Sequence, residues 1–211
     1  MRSFATTASD GKPRNALMLK SADFVYRPGT PDDATCLGVL ATQVFLDTYA
    51  TSGIDNDLAS EALSVYSTPA LDARLRDPAV EVTVVLRDEY VVAFLDVSLV
   101  SVCPVPRIAG HEVLRLYVQA PFQRQGIGRE LLRRAQARAG SAGAAYVWLT
   151  AWSGNAGALA FYPAAGYIDA GTTDYVIAGK SYENRVFAKS LASCTVSRAT
   201  STSRHTHQES T

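Results

Sequence analysis

The chain has 211 residues, 47% of them hydrophobic, which supplies a sizeable core for one domain with flexible ends. Lys+Arg and Asp+Glu both number 20, so charge provides no bias toward nucleic acid or an anionic membrane, and no apolar run approaches the roughly 20 residues of a membrane span. Cys36, Cys103 and Cys194 are odd in number, far apart and without metal-ligand spacing, which reads as reduced thiols in a cytoplasmic protein with no metal site.

Residues 1–22 carry Arg2, Lys12, Arg14 and Lys20 against a single acid, Asp10, and read as a disordered leader; a transit segment, or an upstream start preceding Met18, are the other readings. Phe24-Val25-Tyr26-Arg27 is a short strand. Thr30, Pro31 and Asp33 then form a helix start: a capping hydroxyl, a proline in the first turn and an acid three residues after the cap. Leu37, Leu40, Val44 and Phe45 recur at helical spacing, and the helix runs to about Tyr49. A polar loop with Gly53, Asp55 and Asp57 leads to a second helix through Tyr66. Thr68-Pro69 opens a third that ends before Pro78. Val80 to Arg87 and Tyr90 to Val100 are β-branched, apolar runs split by Asp88-Glu89, a hairpin. A strand over 111–118, a helix over 126–139, a buried strand over 146–151 and a short helix from Asn155 to Ala165 follow. Strands near Thr173 to Ile177 and Tyr182 to Lys189 are joined by a turn at Gly179. Residues 193–211, rich in Ser and Thr and including His205 and His207, read as a disordered tail. Between the ends, residues 23–192 form one α/β domain: a mixed, mostly antiparallel sheet of about six to seven strands with helices on both faces.

The most informative stretch is Val118 to Leu132, VQAPFQRQGIGRELL. Gln123, Gly126 and Gly128 form Q-x-x-G-x-G between a strand and a helix. Such a junction turns unpaired backbone N–H groups and the positive end of the helix dipole toward one spot, which suits a phosphate. A dinucleotide G-x-G-x-x-G fingerprint fails, because Leu131 stands at its third glycine. Gly179-Lys180-Ser181 resembles the end of a nucleotide P-loop, but the first glycine of that motif would fall at Asp174, between two strand patterns, so a hairpin turn is the better reading.

A second segment, Asn155-Ala-Gly-Ala-Leu-Ala-Phe161-Tyr162-Pro-Ala-Ala-Gly166-Tyr167, follows in a fixed order. With both in view, the chain resembles the GNAT superfamily of acyl-CoA-dependent N-acetyltransferases. The first segment matches that family's Q/R-x-x-G-x-G/A pyrophosphate loop and the second its N-x-x-A-x-x-F-Y-x-x-x-G-F/Y stretch. Tyr26-Arg27-Pro28 followed by Thr30-Pro31-Asp32-Asp33-Ala34 looks like its first strand and helix. The resemblance spans roughly residues 24–191.

The resemblance implies a sheet that splays open between its fourth and fifth strands, with acetyl-CoA as the acyl donor lying in the gap. Pantetheine would pair near Leu116, Tyr117 and Val118, and pyrophosphate would rest on the turn from Gln123 through Arg124, Gln125, Gly126, Ile127, Gly128 and Arg129. Asn155 would contact the cofactor or cap its helix. Tyr162 matches the family's tyrosine acid for the departing thiolate, and the N–H near Val118 its oxyanion donor. Glu112, six residues before Val118, is the candidate base, although Leu114 stands where some relatives carry a second acid. Phe45, Asp47 and Tyr49, with Asp55, Asp57 and Glu61 nearby, are candidates for the amine site, since acids beside aromatics suit a cation. Phe45-Leu-Asp-Thr-Tyr49, Leu114-Arg-Leu-Tyr-Val118 and Val147-Trp-Leu are loosely similar to bacterial Pai-type spermidine/spermine acetyltransferases, which suggests a polyamine-like small-molecule acceptor. A homodimer is compatible with this reading. A protein N-terminus or lysine as acceptor, or a non-catalytic acyl-CoA-binding domain, are the alternatives.

Overall fold

The computed structural model describes residues 24–177 and 179–191. The leader 1–22 and tail 193–211, with Met18, Cys194, His205 and His207, lie outside the described residues. The first half is an antiparallel run: β1 (Phe24–Pro28), β2 (Val80–Arg87), β3 (Tyr90–Ser98) and β4 (Gly110–Val118), each paired to the next. Three helices intervene after β1: α1 (Ala34–Tyr49), α2 (Asn56–Val65) and α3 (Thr68–Arg76). Then α4 (Ile127–Ser141) crosses over to β5 (Tyr146–Trp152), which is parallel to β4, and α5 (Ala156–Ala164) leads to the antiparallel pair β6 (Ile168–Ile177) and β7 (Lys180–Ser190). The seven strands lie in the order β1-β2-β3-β4-β5-β7-β6, the mostly antiparallel α/β sheet expected from the sequence.

Each face of the sheet has its own core. Val85, Leu95, Leu149 and Phe187 pack with Leu131 and Leu132 of α4, while Val84 and Phe94 pack with Leu37, Leu40 and Phe45 of α1 and Leu58 of α2. The segment 99–109 extends the second face, placing Cys103 against Trp148, Val186 and Ala188.

The helix start read from Thr30-Pro31-Asp33 forms as a short 3-10 turn ahead of α1. The Asp33 carboxylate accepts from the Thr30 N–H at 2.8 Å and from both ends of the Arg27 guanidinium at 2.7 Å. Arg27 first, and the Thr30 contacts after it, hold the Asp33 carboxyl below its usual range against the opposing effect of burial. A depressed folded-state pKa contributes stability above the ordinary carboxylate value of about 4, and that contribution is lost as pH falls through the folded value. Asp33→Asn should therefore cost about 1–2 kcal/mol at pH 7, the scale of a lost cap, with the gap to wild type narrowing below about pH 4; urea unfolding midpoints at both pH values check this.

Two strand readings need correction. β6 begins at Ile168, not near Thr173. The ladder with β7 slips between Asp169 and Gly171, so an irregular, polar edge strand hides its own start. The Gly179 turn joins β6 to β7 as a hairpin, with Ile177 facing Lys180, as read. At the other end of the first hairpin, β3 stops at Ser98 rather than at Val100.

The opening of the sheet has a local cause. Along β3–β4, Asp96 faces Arg115 but Val97 faces Val113, so Leu114 is an extra residue on β4. A bulge of this kind bends its strand. Pairing between β4 and β5 stops at Val113 and Leu149, and beyond that point the β5-facing edge of residues 114–118 has no ladder partner. The slip also resets the alternation. Glu112 and Arg115 face Ser98 and Asp96, which are two residues apart, so both side chains share the face carrying α1.

Candidate active site

A cavity of about 640 Å³ fills the splay between β4 and β5. One half is bounded by Leu116, Tyr117 and Val118 of β4, the turn residues Gln123 and Arg124, Ile127 and Gly128 of α4, and Phe161 and Tyr162 of α5. Thr48 and Tyr49 of α1, Arg115 of β4, and Thr150 and Trp152 of β5 bound the other.

The α4 end of the cavity lacks a side-chain cap, as α1 does. Helices α2, α3 and α5 are capped by side-chain oxygens of Asp55, Ser67 and Asn155, which accept from Leu58, Ala70 and Ala158. The cap of α4 is Gly126, with no side-chain oxygen to offer. The first intrahelical bond runs from Glu130 N to Gly126 O at 3.0 Å, so the amides of Ile127, Gly128 and Arg129 precede the helical ladder. Gln123 and Gln125 turn their side chains inward: Gln123 Nε2 donates to Val118 O at 3.1 Å and Gln125 Nε2 to Pro121 O at 3.0 Å. They brace the turn rather than reach outward. Arg124 lines the cavity, whereas Arg129 is directed at Ala164 O of α5, 3.4 Å away.

Tyr162 is buried and lines the cavity, packed on Phe161 and Phe187. Burial pushes its phenol well above the usual value. Asn155 also lines the cavity while capping α5, its Oδ1 accepting from Ala158 N at 3.0 Å. Glu112 is half-buried, in the part of β4 still paired to β5, and is not among the cavity-lining residues. Burial raises its pKa; a Ser101 hydrogen bond and the charges of Arg74 and Arg115 act in the opposite direction.

The amine-site candidates divide. Tyr49 lines the cavity, with its ring centroid 5.4 Å from Trp152 and 6.1 Å from Tyr182. Phe45, one turn back, is buried in the core beneath, and Asp47 is exposed on another side of α1. Asp55 and Asp57 both pair with Lys180 at 3.3 Å, and Glu61 accepts from the Tyr175 hydroxyl at 3.1 Å. These contacts fasten α2 to the β6–β7 hairpin, and no carboxylate lines the cavity. The acid-lined amine pocket expected from the sequence is thus absent from the lining.

Sequence reasoning passed over a buried ion cluster on the same face. Asp96 is 1% exposed and accepts from Arg74 through Nε and, at 2.8 Å, Nη2, and from Arg115 Nη1 at 2.6 Å. Arg115 also lies over the Tyr66 ring, 5.5 Å from its centroid, and the Tyr66 and Tyr117 hydroxyls are 3.1 Å apart. A lone acid in the apolar strand Tyr90-Val-Val-Ala-Phe-Leu-Asp96 was the available signal, since a buried carboxylate demands a cationic partner.

The family model described as "Acetyltransferase (GNAT) family" matches residues 49–167, more than half of the chain. The chain belongs to the GNAT acetyltransferase family. Membership makes it an acetyltransferase with acetyl-CoA as acyl donor. Solved GNAT structures share its fold. PaiA N-acetyltransferase from Thermoplasma acidophilum in complex with coenzyme A is 18% identical, with TM-score 0.63, covering 80% of this chain and 99% of that one. Ribosomal-protein-alanine N-acetyltransferase from Brucella melitensis is 22% identical (TM-score 0.58, 79% and 99% covered). YncA of Salmonella typhimurium with its cofactor acetyl-CoA is 18% identical (TM-score 0.56, 81% and 95% covered). The GNAT motifs at Gln123–Gly128 and Asn155–Tyr167 both fall in or beside the splay of this sheet. Among the described residues, no group of three His, Cys, Asp or Glu could hold a metal ion, and no helix is long and apolar enough to cross a membrane.

Proposed function

We propose that this GNAT enzyme transfers the acetyl group of acetyl-CoA directly to a small primary amine, with Tyr162 as acid and Glu112 as base. The observation that carries the donor side is the uncapped N-terminus of α4 at one end of the splay cavity. The pyrophosphate rests on the amides of Ile127, Gly128 and Arg129, with Arg124 beside it. Pantetheine runs along the β5-facing edge of residues 114–118, where backbone groups have no ladder partner.

An alkylamine arrives protonated, with a pKa near 10.4. It first gives one proton through water to Glu112, which stands back from the cavity and releases that proton to solvent before the attack; burial raises the Glu112 pKa, which makes its carboxylate a better base. The nitrogen lone pair then attacks the thioester carbon. A C–N bond forms, and the carbonyl electrons move to oxygen, stabilised by the N–H near Val118. Collapse restores the carbonyl, breaks the C–S bond and expels the thiolate. The nitrogen loses its second proton to the base, and Tyr162 supplies a proton to sulfur. The raised pKa keeps Tyr162 protonated until that moment.

A small acceptor fits better than a protein segment. Tyr49 packs edge-on against Tyr182, and Lys180 and Tyr175 bind the acids of α2, which roofs the acceptor half. A polyamine-like amine belongs to this class, and the faces of Tyr49 and Trp152 suit an ammonium. Free Cys36 and Cys103 support a cytoplasmic setting. An acetyl-CoA turnover screen read as released thiol, across polyamines, amino acids, aminoglycosides and peptides, should find turnover with small amines. CoA binding without turnover of any amine would leave an acyl-CoA-binding domain in place of an enzyme.

A further inference from the structure

We propose that the acceptor carries a carboxylate as well as its amine, an amino acid rather than a polyamine, and that Arg115 binds that carboxylate. The inference rests on the acetyltransferase reading above and narrows its substrate.

Two charged side chains line the cavity, and both are arginines: Arg124 at the phosphate turn and Arg115 at the acceptor end. A site for a polycation needs acids, and the nearest ones on α2 are engaged by Lys180 and Tyr175. The acceptor end has the opposite bias. Asp96 is one carboxylate shared by two guanidiniums, Arg74 and Arg115, and of these three residues Arg115 alone lines the cavity. Glu112 is the next carboxyl on this face. It takes a hydrogen bond from Ser101, and the charges of Arg74 and Arg115 favour its ionised form against the effect of burial.

Arg115 is also held in a binding posture. Of its five N–H donors, the Nη1 contact to Asp96 fixes one end, and Tyr66 lies under the guanidinium plane. Nε and Nη2 have no protein acceptor among the described residues, although the side chain is only 18% exposed. A planar guanidinium edge matches a carboxylate in two parallel hydrogen bonds. The carboxylate on Arg115 and the ammonium against the packed pair Tyr49 and Trp152 would set the amine at the mouth of the splay, facing the thioester.

The test compares free amino acids with their amides, α-, β- and γ-amino acids with one another, and polyamines as a third arm, by thiol release from acetyl-CoA. The free acid should exceed its amide by roughly 10- to 100-fold in kcat/KM, the range of a hydrogen bond to a charged group. Arg115→Gln should erase that preference by raising KM for the acid far more than KM for the amide. Arg115→Lys, which keeps the charge but loses the fork, should retain part of it. Calorimetric CoA binding by each variant reports that the cavity is intact. Faster turnover of amides or polyamines by the wild-type enzyme overturns the carboxylate assignment alone, as does an Arg115→Gln loss equal for acid and amide. No thiol release with any amine sinks the transferase reading itself, and this inference with it.

Discussion

Tyr162→Phe should lower kcat by roughly 10²- to 10⁴-fold, the usual worth of a positioned general acid, while the Kd for CoA changes little. The substitution isolates the hydroxyl. The ring packs edge-on or tilted against Phe161, Tyr167 and Phe187, and phenylalanine keeps all three contacts. Because the ring packing is retained, the fold should lose little stability. What disappears is the proton offered to the leaving sulfur. Steady-state thiol release with calorimetry of CoA binding separates the two quantities. An unchanged kcat removes Tyr162 from the mechanism, and an equal loss of CoA affinity makes it a packing residue of the donor site.

Much of the fold was legible because its signals are local. Thr30-Pro31-Asp33 and Thr68-Pro69 each mark a helix start by chemistry within four residues, and each start forms. The β-branched runs at 80–87 and 90–98 form adjacent strands. The segments Gln123–Gly128 and Asn155–Tyr162 were legible for the same reason, since each is contiguous, and the sheet brings their two helices to one cavity.

The Arg115 end of the cavity depends on pairings that adjacent residues do not encode. The bulge at Leu114 exists only in relation to Asp96 and Val97 of the neighbouring strand, and it decides that Glu112, Arg115 and Tyr117 share a face. Without it, strict alternation sets Glu112 and Arg115 on opposite sides. Arg74, Asp96 and Arg115 come from three elements, so their cluster has no motif. Asp55, Asp57 and Glu61 misled for the converse reason. Their spacing beside aromatics suits a cation, but the hairpin that supplies Lys180 and Tyr175 is more than 100 residues away.

Gly126→Val should reduce CoA affinity by roughly 100-fold or more. Gly126 has φ of +86°, and a β-branched residue in that left-handed region is strained by on the order of 1–3 kcal/mol. A Cβ there meets no protein atom within 4 Å, so no steric clash within the fold forces the turn to move. The strain is relieved by rotating the backbone of the cap, and that backbone aims the amides of Ile127, Gly128 and Arg129. Two charge-assisted hydrogen bonds lost at about 1.5–3 kcal/mol each exceed 100-fold in Kd. Gly128→Val tests the same cradle by another route, because its Cβ would lie 3.2 Å from Phe161 Cζ and 3.5 Å from Leu116 Cδ2, narrowing the cavity itself. The two variants should differ in recoverability: Gly126→Ala keeps some of the strain without the branch, and should regain part of the lost affinity. Calorimetric titration with CoA, beside thermal melting to confirm a folded domain, decides the matter; if both valine variants bind CoA like wild type, the phosphate does not sit at this helix end.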